Sequence, residues 1–259
     1  SRALWLFGVR ELAHKWIMEK TLPTGSTVLD IGANIGYYAL IERSLVGDSG
    51  RIIAVEPSPD NLNLLRRNMN ENRVSNVEIV EGAVSNIAGV EKFWLAEESN
   101  LNSFHPEGLR RAGSLKGSIE VQVRTVCDLA KEFGRIDYLR MDVEGHEVQI
   151  LNDICKLVKS GLAQPDIIFE PHINTYDEAT QNIEIVLHEM YELGYRAKYV
   201  ASSSARGTAI LEQLGSSVVT HIRTDEVVRT IHEDLNIEHL IGCLTKTGGI
   251  RTVFLTAGT

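Results

Sequence analysis

Three cysteines among 259 residues, Cys127, Cys155 and Cys243, are too few and too far apart for a disulfide scaffold. No Cys-x-x-Cys pair offers a structural zinc site. Such usage fits a reduced compartment, and the chain reads as cytoplasmic. No apolar run approaches the ~20 residues needed to span a bilayer. The stretch from Ala3 to Ile17 is apolar, but Arg10, Glu11, His14 and Lys15 interrupt it. It therefore reads as an amphipathic helix and not as a signal peptide. Basic residues are also in deficit: 26 Lys plus Arg against 35 Asp plus Glu leave a formal net charge of −9. That balance argues against nucleic acid or an anionic membrane as a general partner. Internal repeats, low-complexity tracts and strong linkers are missing too, so residues 1–259 read as one domain.

What is present suits a large globular core: 43% of residues are apolar and 24% charged. Short β-branched runs alternate with helical periodicity, the pattern of a mostly parallel sheet with helices on both faces. Strands are predicted at Thr27–Ile31, Arg51–Glu56, Asn76–Glu81, Ile136–Asp142 and Asp166–Glu170. Further strands are expected at Glu91–Ala96, Ile119–Val123, Tyr195–Ala201 and Arg251–Thr256. Residues 1–26 form an N-terminal helical extension. The segment 202–249 is an insertion of uncertain pattern, with a loop at Ser202–Gly207 and a helix near Asp225–Leu240.

The most informative stretch is Asp30-Ile-Gly-Ala-Asn-Ile-Gly36, which follows a strand and opens a helix. Gly32 permits a tight turn that brings backbone N–H groups against a ligand. The positive end of the next helix points to the same place. Glu56 ends the second strand 20 residues beyond Gly36, where a carboxylate accepts hydrogen bonds from ribose hydroxyls. Together these features predict an adenosine-type cofactor. The dinucleotide fingerprint is broken, because Asn34 stands where a central glycine would admit a pyrophosphate. Asp30 would repel a pyrophosphate and would suit the cationic amino-acid end of S-adenosylmethionine.

Four blocks, VLDIGANIGYYAL, AVEPSPDNLNLLRRNMNEN, NVEIVEGAVSN and YLRMDVEGHEVQIL, resemble the FkbM-type S-adenosylmethionine-dependent methyltransferases. The resemblance runs from about Thr27 to Glu170 and weakens toward Tyr195. It implies a class I, Rossmann-like fold with a seven-stranded sheet. It also implies methyl transfer to a hydroxyl of a sugar, glycolipid or small natural product. By the same resemblance, Asp30, Gly32, Asn34 and Gly36 would cradle the methionine part and ribose edge. Glu56 would hold the ribose, Ala83 and Val84 the adenine, and Asp142 would sit beside the sulfonium.

Methyl transfer to oxygen is an in-line displacement that depends on positioning and on removal of the acceptor's proton. Ligands of open α/β sheets bind at the carboxyl ends of strands, which singles out Asp142, Glu144 and the Glu170-Pro171-His172 turn. His172 is assigned as general base for its ordinary pKa, supported by Glu170 and Asp142. Asp142 and Glu170 could also hold Mg²⁺, but no metal is assigned. Glu144-Gly-His146-Glu147 resembles part of a zinc-protease motif, yet Ile150 occupies the required second histidine position. Glu147 is read as a first-turn residue complementing the helix dipole. The loop Ser99–His105 could cover the cofactor, with Ser103 and His105 near the acceptor. Arg110, Arg111 and Lys116 add local positive charge. Trp5, Trp16 and Trp94 serve the core or a lid, Trp94 offering a platform for a sugar ring. Two other classes stay open: an NAD-dependent oxidoreductase, which Asn34 disfavours, and a non-catalytic scaffold.

Overall fold

Continuous runs of Val, Ile and Leu, buried on both faces, specify central strands of a parallel sheet. The computed structural model describes residues 10–107, 110, 113–176, 181–224 and 226–258. Helix α1 (Leu12–Thr21) leads into β1 (Thr27–Ile31), α2 (Tyr37–Val46), β2 (Arg51–Glu56), α3 (Pro59–Glu71) and β3 (Val77–Glu81). The short β4 (Ala83–Val84) and the pair β5 (Gly89–Ala96) and β6 (Leu115–Arg124) come next. They are followed by α4 (Val126–Phe133), β7 (Tyr138–Met141), α5 (Glu147–Lys159), β8 (Asp166–Phe169) and α6 (Ile183–Glu192). The chain ends with β9 (Arg196–Ser202), α7 (Ala205–Gln213), β10 (Ser217–Thr224), β11 (Val227–Leu235), α8 (Ile237–Gly242) and β12 (Ile250–Thr256).

The main sheet has nine strands in the order β10-β11-β9-β12-β8-β7-β1-β2-β3. Strands β3, β2, β1, β7 and β8 pair in parallel, and β12 lies antiparallel between β8 and β9. The expected seven strands are thus present, from β3 across to β9, and the antiparallel hairpin β10–β11 extends them by two. Strands β4, β6 and β5 form a separate three-stranded sheet.

Period-two alternation divides the core. In β1, Val28 faces α1 and α2, whereas Leu29 and Ile31 face the layer of α4 and α5. Ile52 and Ala54 of β2 follow the first pattern, Ile53 and Val55 the second. Each such fully buried aliphatic side chain contributes ~1.5–3 kcal/mol. Asp30 and Arg140 share the parity of Val28 and Tyr138, so two charges point into the α1–α2 side of the core. The strand order reverses at β1, flanked by β2 and β7. The crevice beyond their carboxyl ends is the place where such sheets bind ligands.

The C-terminal part corrects the sequence expectation. No helix covers the region from Asp225 to Leu240, although Asp225 itself lies outside the described residues. Val227–Leu235 is a strand between β9 and β10, and only Ile237–Gly242 is helical. Its burial alternates weakly, because one strand run is sandwiched by the sheet and by α7, and that hides the period of two. Ser202 ends β9, and the expected loop shrinks to Ser203 and Ser204, whose hydroxyl caps α7 at Gly207 N. The N-terminal helix is seen from Leu12 to Thr21; Ala3–Val9 and Trp5 lie outside the described residues. Among the described residues no helix is long and apolar enough to cross a membrane.

Candidate active site: two chambers beyond the strand ends

The loop after β1 sets the geometry. Gly32 has φ 79°, and a Cβ there would lie 2.1 Å from the Asp142 carbonyl oxygen. Only glycine lets the loop rest directly on the end of β7. Asn34 adopts φ 53°, and its side-chain oxygen accepts from Ile35 N at 2.7 Å, a local bond that supports the left-handed conformation. The Asn34 N–H donates to Glu56 Oε2 at 2.9 Å. Glu56 Oε1 accepts from Ser58 N at 2.9 Å and from Asn61 Nδ2 at 3.1 Å. Burial outweighs these three donors and pushes the Glu56 carboxyl up to about 7. A carboxylate offers about four acceptor positions, so one on Oε2 is left for a ligand hydroxyl.

Gly32, Asn34, Glu56, Ala83, Val84 and Asp142 line one chamber together. Its far wall is aromatic: Phe93, Phe104 and His146. His146 packs on Phe104 at 4.5 Å between ring centres and meets Ser85 Oγ at 2.8 Å through Nε2. Burial, helped by His105, pushes His146 down to about 3, so the ring is neutral and suited to flank a base.

Two residues expected in the cradle lie beneath it. Asp30 is fully buried, lines neither chamber, and accepts from Arg140 Nη1 at 2.9 Å. Its charge is answered inside the protein, so it does not meet the cofactor's ammonium as the loop motif suggested. Arg140 also donates to the Gly32 carbonyl at 3.2 Å and to Asp142 at 3.2 Å, and stacks on Tyr38 at 4.1 Å. It therefore ties loop, strand end and α2 together. Gly36 lines neither chamber either; with φ 86° it opens α2, where a Cβ would strike Leu65 and Met69.

A second chamber of about 430 Å³ adjoins the first. Gly32, Asn34, Ser99, Asn100, Asp142 and Glu144 line both, so they mark the junction. Glu144 stands there with φ 50°, a left-handed conformation unusual for a carboxylate residue. Glu170 and His172, just past β8, line the second chamber only.

His172 is ringed by carboxylates. Nδ1 meets the fully buried Glu147 at 2.8 Å, and Nε2 lies 3.3 Å from Glu144, 3.5 Å from Glu170 and 4.0 Å from Asp142. Burial opposes a charge on the imidazole, but Glu147, Glu144 and Asp142 outweigh it and push His172 up to about 11. A histidine held protonated takes no proton at neutral pH, so its assignment as base is revised. Burial pushes Glu144 up to about 7 against the pull of His172. Burial and the charge of Asp142 push Glu170 up to about 8 against Arg251 and His172. These carboxyls, and not His172, titrate near neutrality. Asp142, Glu144 and His172 also offer one donor atom each within 4.8 Å of one another, but a cation there would have to displace the His172 proton.

Other expected residues take structural parts. Ser103 is buried and donates to the Glu144 carbonyl at 2.7 Å, pinning the loop Ser99–His105 across both chambers. His105 meets His146 and Gln181. Trp94 lies between Lys92 and Arg110 and lines neither chamber; Trp16 packs edge-on against Tyr199. Lys116 pairs with exposed Asp60, and Arg111 lies outside the described residues. Sequence reasoning missed Arg140, Glu147, Arg10, Glu11 and Arg251. A signal existed for Arg140, a lone charge inside the buried run YLRM. For the others only spatial neighbours reveal the role.

The family model for the methyltransferase FkbM domain matches residues 30–197, which include every residue of the first chamber. The chain belongs to the FkbM methyltransferase family. Its cofactor is S-adenosylmethionine, and the residues fit that molecule: an open acceptor on Glu56, a backbone cradle at Gly32, and a neutral aromatic wall. Methyltransferase sdnD of Sordaria araneosa is 27% identical over 161 residues, 51% of this chain and 62% of that protein. Hexuronic acid methyltransferase AglP of Haloferax volcanii is 27% identical over 137 residues, covering 51% of each. The chain thus spans only half to two thirds of these relatives. Among solved structures, an FkbM methyltransferase of Methylobacillus flagellatus covers 81% of this chain and 44% of its own, at 15% identity and a TM-score of 0.44.

Proposed function

We propose that this FkbM domain methylates a hydroxyl oxygen of a saccharide, with Glu144 as the proton acceptor. The observation that carries this reading is the position of Glu144 in both chambers, at the junction where a bound acceptor and the cofactor would meet. When bound, S-adenosylmethionine supplies an electrophilic methyl group. Gly32, Asn34 and Asp142 line the junction with Glu144, Gly32 resting against the Asp142 carbonyl. A carboxyl group titrating near 7 is matched to accepting a hydroxyl proton at neutral pH. His172, held as an imidazolium by Glu147, lies 3.3 Å from Glu144 and keeps a compensating positive charge beside it. Glu170 and Asp142 complete the polar wall for the acceptor. The hexuronic acid named for one relative supports a saccharide acceptor.

The test is a screen of saccharides with S-adenosylmethionine, following release of S-adenosylhomocysteine and the site of the added methyl by mass spectrometry. Glu144→Gln should lower turnover by ~10²–10⁴-fold while cofactor affinity stays within about twofold. Methylation confined to amines or carboxylates, or full turnover by Glu144→Gln, would reject the reading.

A further inference from the structure

The two chambers differ in origin. The first is built within residues 31–146, inside the span that defines the family. The second also takes Arg10, Glu11 and Arg251 from outside that span. Glu11 is the centre of the group. It has φ 53°, although it is not a glycine, and its side chain is 7% exposed. Its Oε1 accepts from Arg10 Nε at 2.8 Å and lies 3.5 Å from Arg251 Nη2, while Tyr38 donates to Oε2 at 2.8 Å. The other end of Arg251 pairs with Glu170.

Donors and acceptors therefore alternate around the chamber. Arg10 lies on Glu11; Arg251 lies between Glu11 and Glu170. His172 lies between Glu147 and Glu144, and Arg140 between Asp30 and Asp142. Every cation has a carboxyl partner: Arg10, Arg140, His172 and Arg251 line the chamber with Glu11, Asp142, Glu144 and Glu170, and Asp30 and Glu147 back Arg140 and His172 from behind the wall. No surplus cation is left for an anionic ligand. A hydroxyl both donates and accepts, so vicinal hydroxyls match an alternating wall of this kind.

We propose that Glu11 and Arg251 are specificity-determining residues of the acceptor chamber, and that they select a neutral, polyhydroxylated sugar over an acidic one. This rests on the saccharide reading above. Glu11 is the positioning residue: by occupying both arginines it keeps them from a ligand carboxylate. Arg251 then presents guanidinium donors and holds Glu170 in place. The backbone strain at Glu11 aims the carboxylate between two arginines from adjacent segments.

The test is binding to the 259-residue chain saturated with S-adenosylhomocysteine, by calorimetry and saturation-transfer NMR. The probes are methyl glycosides of glucose, galactose and mannose, against glucuronic and galacturonic acids. Wild type should bind at least one neutral glycoside and bind the uronic acids more weakly. Arg251→Gln should weaken neutral binding by roughly tenfold or more, the loss of a charge-assisted hydrogen bond. Glu11→Gln releases Arg10 and the end of Arg251 that does not pair with Glu170, and should reverse the preference toward the uronic acids; a residue that served folding alone would not produce that gain. The thermal shift with S-adenosylhomocysteine reports that each variant is folded. Preference of wild type for uronic acids, or an unchanged preference in folded Glu11→Gln, overturns the proposal and leaves the saccharide reading standing. No binding of any sugar by wild type overturns both.

Discussion

Replacing Glu56 by glutamine removes a charge while keeping shape. Three of the carboxylate's acceptor positions are filled by Asn34 N, Ser58 N and Asn61 Nδ2. The glutamine amide nitrogen must replace one oxygen. Placed at Oε2, it faces the Asn34 N–H and removes the acceptor open to the ribose. Losing one hydrogen bond to a charged acceptor costs ~1.5–3 kcal/mol, roughly 10–150-fold in Kd. The assay is thermal unfolding with S-adenosylhomocysteine at 100 times the wild-type Kd. That concentration adds ~2.7 kcal/mol to wild type, a rise of ~5–11 °C for a chain of this size. After a 100-fold loss the same concentration only equals Kd and adds ~0.4 kcal/mol, a rise of ~1–2 °C. The effect is also pH-dependent. The folded pKa of about 7 lies above the ordinary 4.5, so ionising Glu56 costs the ligand-free protein stability between those values, and hydroxyl donors offset that cost. Wild-type affinity should therefore weaken as pH falls through about 7, and the glutamine variant should lose that dependence. A full ligand shift in Glu56→Gln, or identical pH profiles, would refute the ribose assignment.

Three further outcomes are expected. Glu42 is fully buried with both carboxyl oxygens unpartnered, and burial with the nearby charge of Asp30 raises its pKa well above the ordinary value. Its penalty is absent below pH ~4.5 and grows above it, so Glu42→Gln should stabilise by ~1–3 kcal/mol at pH 8 and by little at pH 4.5, read from urea unfolding. His172, raised to about 11, adds stability that is complete below pH 6.5 and lost as pH rises through the folded value. Its ring nitrogens should keep imidazolium chemical shifts from pH 6 to 9, with only small displacements as Glu144 and Glu170 titrate beside it, whereas Glu147→Gln should bring the full deprotonation step into that range; a full step near 6.5 in wild type would sink the imidazolium. Gly32→Ala places a Cβ 2.1 Å from the Asp142 carbonyl at φ 79°, and should destabilise by more than ~1 kcal/mol and abolish the ligand shift; a normal shift would show that the loop does not need this close contact.

The local pattern of the chain determined the parallel sheet, the glycine turn and the acidic end of β2. Each depends on residues near in sequence: the continuous apolar runs in TVLDI and RIIAVE, the left-handed turns at Gly32 and Asn34, and the fixed interval to Glu56. Such signals survive without tertiary context, because backbone sterics and side-chain period act over a few residues. The strand Val227–Leu235 was hidden because its burial comes from packing against β9 and α7. Charge balance belongs to tertiary structure alone. Asp30 has the same type of side chain as Asp142, yet Arg140 neutralises it below the floor while Asp142 borders both chambers. His172 looks like a base by its ordinary pKa and becomes an imidazolium only when Asp142, Glu144 and Glu147 converge on it from the end of β7 and the start of α5. Glu11 and Arg251 are 240 positions apart and meet because β12 inserts between β8 and β9 beside the start of α1. Coulomb energy depends on distance in space and on burial, and neither can be read from separation along the chain.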